Sequence, residues 1–538
     1  MFRVVFLVCV FAGIGLGVLS CTFFLWAWWI GAPPSLVLWL VILAYLGLAV
    51  VLNRSFKAVM PQSNGSRYGI LFSLLCVYVG WLALSQYWAH WHGDWDALAI
   101  WNLHARLLYR SGGQWLQTFS RHIYDGHQDY PLLLPSLVAS GWTLHGAEST
   151  AIPGILSFVF TFLVVALLTS SVGLLSGPVQ GFAAGLILLG TPTFILQGMN
   201  QMANIPLGFF ILLTVVLLRL SERSPQNKGV LVLAGVSAGF ACWTKNEGLL
   251  FLVCLFASVL CRGRDRKQSC GLPDARMLGC GVLPVLAIVL SFKFILSPPN
   301  DLFTGTHDLV GRWMDSSRYA EISAYFYQGI VAFGAGRISP FIAAADYIIC
   351  FGRRRSKSGN AAELWMPLLL TLMLAGYFMI YVGSPHDLQW QVIQPSSFTP
   401  LADVLVLDCL RDREQFDIAR RVSDLTNFPE SSLRNQDILS EFIQIIQAGW
   451  VWVKNAQRIV RKRQMIIQPG DILGQELAKT LQSQRVSRCI SRRCAKPCGG
   501  DNRKASVLPP AQLIFPVRTA AGLTGAKGGG LDIQHTLD

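Results

Sequence analysis

The chain has 538 residues, 53% of them hydrophobic and only 14% charged, against roughly 25% charged in an ordinary soluble domain. That balance excludes a water-soluble globule. The net charge of +14 sits in short basic stretches between apolar runs, so it reads as a topology signal and not as a nucleic-acid-binding face.

Apolar runs of about 16–27 residues recur over the first 385 positions, and about 20 residues cross a bilayer core of ~30 Å. The sequence therefore predicts an all-α protein, a polytopic transmembrane helical bundle. In chain order the spans fall near 4–30, 35–52, 69–87, 131–146, 149–176, 179–197, 204–220, 229–243, 247–262, 277–298, 324–350 and 362–383. The first begins after Arg3 and passes Val18-Leu19-Ser20-Cys21, a plausible lipoprotein-type cleavage context. Because the apolar run continues through Trp29 and Ile30, an uncleaved anchor is the better reading. Cys9, Cys76, Cys254 and Cys280 lie inside apolar runs as small hydrophobes, and no disulfide framework is read.

Basic residues cluster at Arg54, Lys57 and Arg67, at Arg262, Arg264, Arg266 and Lys267, and at Arg353, Arg354, Arg355 and Lys357. Placing these loops in the cytoplasm leaves loop 88–130 and the stretch Ser384 to Trp390 outside. Arg219, Arg223 and Lys228 also belong inside, which puts the 198–203 loop and the turn at Lys245 outside. Only an even number of crossings fits between loops 88–130 and 198–203, yet the sequence offers three apolar runs. One of them, either 131–146 or the Gly-rich 179–197, is then half-inserted or interfacial, giving about 11 crossings. Asp94, Asp96, Asp129, Lys245, Glu247, His386 and Asp387 all fall on the external side. Charges there are costly unless they face a cavity or one another, so one external polar cleft is the economical explanation.

In WHGDWDALAIWNLHARLLY, residues 91–109, Leu98, Trp101, Ala105 and Leu108 recur at helical spacing, and Asn102, Arg106 and Arg110 gather on another side. This predicts a helix in the membrane interface. Asp96 at its N-terminal end is either a helix cap or an ionised carboxylate positioned as a general base. His90, His92, Asp94 and Asp96 carry donor types that suit a divalent metal, but nothing in the sequence supplies the remaining coordination. In HQDYPLLLP, residues 127–135, Asp129 precedes an apolar run opened by Pro131; it is a second cap or a second functional carboxylate.

GDWDALAIWNLHARLLY, HQDYPLLLP, TPTFIL with QMANIPLGFF, GVSAGFACWTKNEGLLF and SPHDLQW together resemble the bacterial membrane glycosyltransferases of the GT-C fold. They are similar to protein mannosyltransferases and lipid A aminoarabinose transferases, over roughly residues 70–390. The resemblance implies a many-spanning bundle in the plasma membrane whose external first loop, 88–130, bears interfacial helices and whose active site faces the extracytoplasmic side. It implies a polyprenyl-phosphate-linked sugar donor, a glycan, lipid or protein acceptor and membrane lipid as surroundings; no nucleic acid partner is expected, and no cofactor is assigned, with a divalent metal left open. Carried over by position, the catalytic acid of that loop matches Asp96, with Asp94 as second choice. Asp129 and Lys245 match substrate-binding positions, and Arg106 and His386 are further cations for a departing phosphate. Relatives usually have Asp where Asn204 stands.

The likeness stops after Trp390. Residues 391–538 form a separate basic tail, read as surface-active or disordered, or as translated out of the ancestral frame; Cys489, Cys494 and Cys498 lack a fourth zinc ligand nearby. Two rival functions remain. A transporter or flippase predicts ionisable residues spread through the bilayer depth, and a catalytically inactive relative would keep only a binding role.

Overall fold

The computed structural model describes residues 1–57, 68–110, 127–224, 226–262, 271–300, 306–332 and 365–384. The tail from 391 and His386 lie outside the described residues. The described elements are helices, with no strand among them. Six are long and apolar enough to cross a membrane, and shorter apolar helices lie between them. The chain is an all-α polytopic bundle.

The helices are α1 (Phe2–Trp29), α2 (Ser35–Lys57), α3 (Tyr68–Ala89), α4 (Asn102–Arg110, preceded by a π-helical turn Ala97–Trp101), α5 (Leu133–His145), α6 (Ala151–Leu175), α7 (Pro178–Leu189), α8 (Pro192–Met199) and α9 (Asn204–Arg223). They continue with α10 (Lys228–Thr244), α11 (Glu247–Arg262), α12 (Gly271–Ser291, extended by a π-helical turn Phe292–Leu296), α13 (Thr306–Met314), α14 (Ser316–Ala332) and α15 (Trp365–Gly383). α1 runs unbroken through Cys21, which is buried among its neighbours.

The bundle is built around α9, whose residues from Asn204 to Ser221 are all buried. A helix apolar on every side belongs in such a centre. Lipid tails are as apolar as leucine, so helices in a bilayer associate through close packing and hydrogen bonds, not through hydrophobic exclusion. α10 and α12 show the packing route. A Cβ on Gly235 would stand 2.1 Å from the Leu278 carbonyl oxygen, and one on Gly281 would stand 2.0 Å from that of Val232. Glycine is what lets the two backbones meet. The hydrogen-bond route joins α1, α5 and α10: Trp243 Nε1 donates to Ser20 Oγ at 3.1 Å, and Ser20 Oγ donates to the Leu133 carbonyl at 2.9 Å.

The bundle has a basic end and a polar end. At the basic end Arg219 is 4% exposed, 3.2 Å from Glu222 and 4.7 Å over the Trp365 ring, and Trp365 Nε1 donates to Glu222 at 2.8 Å. Arg223 donates to the Leu175 carbonyl there, and Lys228 pairs with Asp274. At the polar end lie the starts of α9 and α11 and the last turns of α10, α12 and α15.

These contacts bear on the parity expectation. α6 begins beside Tyr87 near the end of α3, whose hydroxyl donates to the Thr150 carbonyl, and α6 ends at Leu175 under Arg223. α7 starts there, and with α8 it returns to Asn200, whose carbonyl accepts from the Asp94 N–H. α6 and the α7–α8 pair thus run between the two ends of the bundle. α5 does not: its first residue meets Ser20, and its last lies near Glu148, which pairs with α4. The span expected at 324–350 runs past Ala332 into residues outside the described ones.

Candidate functional site

The site is assembled at the polar end from loops that the helices hold at one level. Its centre is Asp129, 3% exposed. Its Oδ2 accepts hydrogen bonds from Asn246 Nδ2 at 2.7 Å and Asn300 Nδ2 at 2.5 Å, and lies 3.5 Å from Lys293 Nζ. Lys293 Nζ also donates to the Asp129 carbonyl. The residue at the N-cap of α5 is Leu132, without a side-chain capping bond, so Asp129 does not act as that cap. A buried carboxylate needs such a full set of donors to stay ionised away from water.

Lys293 reaches Asp129 from the π-helical turn that ends α12. Such turns insert a residue into the helical register and occur often at functional sites. Sequence reasoning passed over Lys293, although a lone lysine in the apolar run 277–298 is the kind of signal that marks a functional residue in a membrane span.

Lys245 leaves α10 in extended conformation, φ −159° and ψ 157°. Its Nζ lies 2.7 Å from Glu247 Oε1 and donates to Asn204 Oδ1 at 3.1 Å, with the Tyr130 ring 5.8 Å away. Burial works against the ammonium, but Glu247, then Tyr381 and Asp96, outweigh it and hold Lys245 above the ordinary lysine range. Asn204 thus supplies a neutral acceptor to Lys245. Tyr130 is stacked between His127 and Trp101, at ring-centroid distances of 5.0 and 5.5 Å. Burial, and then the charges of Glu247, Asp129 and Asp96, push its phenol well above the usual range.

Asp96 is half-buried at the start of the π-helical turn and makes no side-chain capping bond to it. Its charge acts on both Lys245 and Tyr130, which brings it within electrostatic reach of the cluster. Asp94 is engaged otherwise. Its Oδ1 accepts from the Trp95 N–H at 2.8 Å, and its Oδ2 accepts from Asn200 Nδ2 at 3.3 Å. Beside it Gly93 has φ +78°, and a Cβ there would stand 2.8 Å from the Asn200 carbonyl oxygen. Only glycine fits so tight a left-handed turn. Gln201, at φ +58°, accepts from Asn102 Nδ2 and donates to the Trp91 carbonyl, both at 3.0 Å. Asp94, Asn200 and Gln201 therefore clamp the loop that carries Asp96.

The interfacial helix expected over 91–109 turns its apolar side inward. Trp101, Ala105 and Leu108 are buried, and Trp101 and Ala105 pack in one cluster with Leu134, Val138 and Trp142 of α5. Trp88, Trp91 and Trp95 are the exposed ones, at the depth where tryptophan favours a headgroup layer. Arg106 is not brought to the cluster's ion pairs: its Nε lies 3.7 Å from Glu148, which Arg110 grips with Nε and Nη2. Among the described residues no three His, Cys, Asp or Glu side chains converge as metal ligands.

Two acceptors in the cluster have no hydrogen-bond partner among the described residues: Asn246 Oδ1 and Glu247 Oε2, both shielded from solvent. The orientation of Asn246 follows from its bond to the Asp129 carboxylate, which requires the NH2 group on that side. Buried acceptors of this kind call for a donor from outside the protein.

Residues 113–292 match the family described as dolichyl-phosphate-mannose-protein mannosyltransferase. The matched segment contains Asp129, Lys245 and Glu247, begins after Asp96 and ends just before Lys293. No curated protein and no solved structure matches the chain. Over that stretch, and in its helical fold, the chain is similar to GT-C-type membrane glycosyltransferases.

Proposed function

We propose that the polar end is the active site of a membrane glycosyltransferase that takes a sugar from a polyprenyl-phosphate carrier and passes it to an extracytoplasmic acceptor. The observation that carries this reading is the convergence of Asp96, Asp129, Lys245, Glu247 and Lys293 at one end of an apolar bundle, with Asn246 Oδ1 and Glu247 Oε2 still open to donors. Sugar hydroxyls are donors of the right kind. A carrier lodged in the bilayer also accounts for a site at the membrane surface.

The reaction is an inverting displacement. Asp96 takes the proton of the acceptor nucleophile, whose atom bonds to the anomeric carbon. The bond from that carbon to the carrier phosphate breaks, and the phosphate departs with the electron pair. Asp94 is the second catalytic candidate and acts by holding the Asp96 loop. Asp129 with Lys293 fixes the Asn246 amide, and Lys245 and Glu247 contact the donor. Arg106 steadies α4 through Glu148, and His386 is a further cation for the phosphate.

A transporter needs ionisable groups along its path. In the described part of α9, α10 and α11 they stand at the helix ends, which favours the transferase. The test uses the full chain in proteoliposomes with a panel of polyprenyl-phosphate sugars, following carrier release. Release that is abolished by Asp96→Asn in a folded protein is expected. Absence of release from every donor, together with uptake of a polar solute, would replace this reading with the transporter.

A further inference from the structure

At the polar end most cations are already matched. Lys245 has Glu247, Lys293 has Asp129, and Arg110 grips Glu148, which lies 3.7 Å from Arg106 Nε, an atom that like those of Arg312 has no hydrogen-bond partner among the described residues. With Asp96 added, the central cluster carries more carboxylates than ammonium groups. It suits hydroxyl donors better than a phosphate, so a departing phosphate needs a cation elsewhere.

α13 and α14 pack on the last turns of α15. Trp313 Nε1 donates to the Met379 carbonyl at 3.4 Å, and the Tyr319 hydroxyl donates to the Trp313 carbonyl at 2.8 Å. Arg318 Nε and Nη2 donate to the carbonyls of Val382 and Ser384 at 2.9 and 2.7 Å. Tyr381, in the same turn of α15, is one of the groups acting on Lys245 and Tyr130. The helix pair therefore borders the cluster.

In this setting Nε and Nη2 of Arg312 are both shielded from solvent, and neither has a hydrogen-bond partner among the described residues. The nearby carboxylate of Asp315 is taken by the N–H and Oγ of Ser317, at 3.0 and 2.6 Å. Nε and Nη2 form one edge of the guanidinium, the fork that matches two oxygens of a carboxylate or phosphate. A buried lysine can shed its proton, whereas a guanidinium does not. Arg318 satisfies the same edge with two backbone carbonyls; Arg312 has none there, and an anion with two oxygens is the ligand that matches both its donors and its charge. The same helix exposes Val310, Trp313 and Met314, an apolar edge suited to the headgroup layer, where the arriving anion is attached to a lipid.

We propose that Arg312 binds the phosphate of an isoprenoid-type phospholipid carrier through its Nε–Nη2 edge. The identity of that lipid as the sugar carrier rests on the glycosyltransferase reading, while the anion site itself rests on the guanidinium.

The experiment measures the binding and melting of the full chain in uncharged detergent micelles, with farnesyl phosphate, farnesol, inorganic phosphate and phosphatidylglycerol as separate probes. Farnesyl phosphate is expected to bind and raise Tm, and the other three to do so far less at equal concentration. Arg312→Gln should weaken farnesyl phosphate by roughly 10- to 100-fold, the range for losing a charged hydrogen-bonded contact, and Arg312→Lys should fall between. Without ligand, Arg312→Gln should melt no lower than wild type, because Nε and Nη2 make no hydrogen bond there that the substitution would remove. Unchanged affinity in Arg312→Gln overturns the proposal, and so does a lower ligand-free Tm in both variants, which marks a structural arginine. Inorganic phosphate or phosphatidylglycerol binding as tightly as farnesyl phosphate overturns the carrier assignment. If binding through Arg312 persists while wild type transfers no sugar, the anion site stands and the transferase reading fails.

Discussion

The two ends of the bundle both bury charge, and they do so differently. At the basic end Arg219 has a carboxylate, an indole face and the Met366 sulfur around it, and Glu222 in turn accepts from Trp365. That cluster ties α9 to α15, and its own charges are matched within it. At the polar end Asp129 and Lys245 are satisfied as well, yet Asn246 Oδ1, Glu247 Oε2 and one edge of Arg312 are not. A closed ionic cluster in a membrane protein is a fastening; one that keeps buried groups in reserve is a place for a ligand.

Substitutions can break this contrast. The largest effect is expected for Asp96→Asn, which removes a general base: turnover should fall by roughly 10²–10⁴, with Tm near that of wild type. Full turnover by this variant returns Asp96 to a structural role. Next comes the Asp129–Lys293 pair. Asp129→Ala strands a buried ammonium and should cost about 3–5 kcal/mol, read as a drop in denaturation midpoint, and Lys293→Met should cost less because Asn246 and Asn300 still hold the carboxylate. Equal losses would show that the amides contribute nothing. At the basic end Arg219→Met should lower stability while leaving kcat of the surviving fold unchanged; a fall in kcat at constant fold would erase the difference between the ends.

Smaller effects sharpen it. Gly235→Val forces α10 and α12 apart and should cost about 1–3 kcal/mol through overpacking, with no change in KM for the donor; an unchanged Tm would mean that the two helices shift freely. The mildest expectation concerns pH. Lys245 is held above its ordinary value of 10.5 by its carboxylate neighbours. Its stabilising contribution is therefore fully present below that value and is lost only as pH rises through the higher folded value. Stability profiles of wild type and Lys245→Met should run parallel from pH 6 to 9 and converge at more alkaline pH. Divergence near neutrality would contradict the Glu247 pairing.

The apolar runs announced the helices, because a bilayer demands length and hydrophobicity that any chain must display. Counting sides led to the expectation that one of two runs does not cross. It could not choose between them, since Leu133 to His145 is apolar enough to be either, and the course of α5 along one end depends on contacts of Ser20 with Leu133 and of Glu148 with Arg110 that are remote in sequence. Asp96, Asp129 and Lys245 were legible as charges beside apolar runs. Their partners were less so: Asn246, Asn300 and Asn204 are neutral and common in turns, and the Asn200 that bonds Asp94 lies 106 positions away. Arg312 gave no signal, because an arginine in a short amphipathic helix looks solvated until burial and partners are known.

α5 carries a consequence for how the protein is made. A helix that enters and leaves by the same face has no place of its own in the bilayer until its neighbours stand. Leu133 is tied to Ser20, which receives Trp243, a partner 223 positions further along the chain. The loop with Asp129 cannot be locked in place before α10 has left the ribosome, and Lys293 comes later still. Partial chains therefore lack the Asp129 cluster, which is complete only once Asn246, Lys293 and Asn300 have been made.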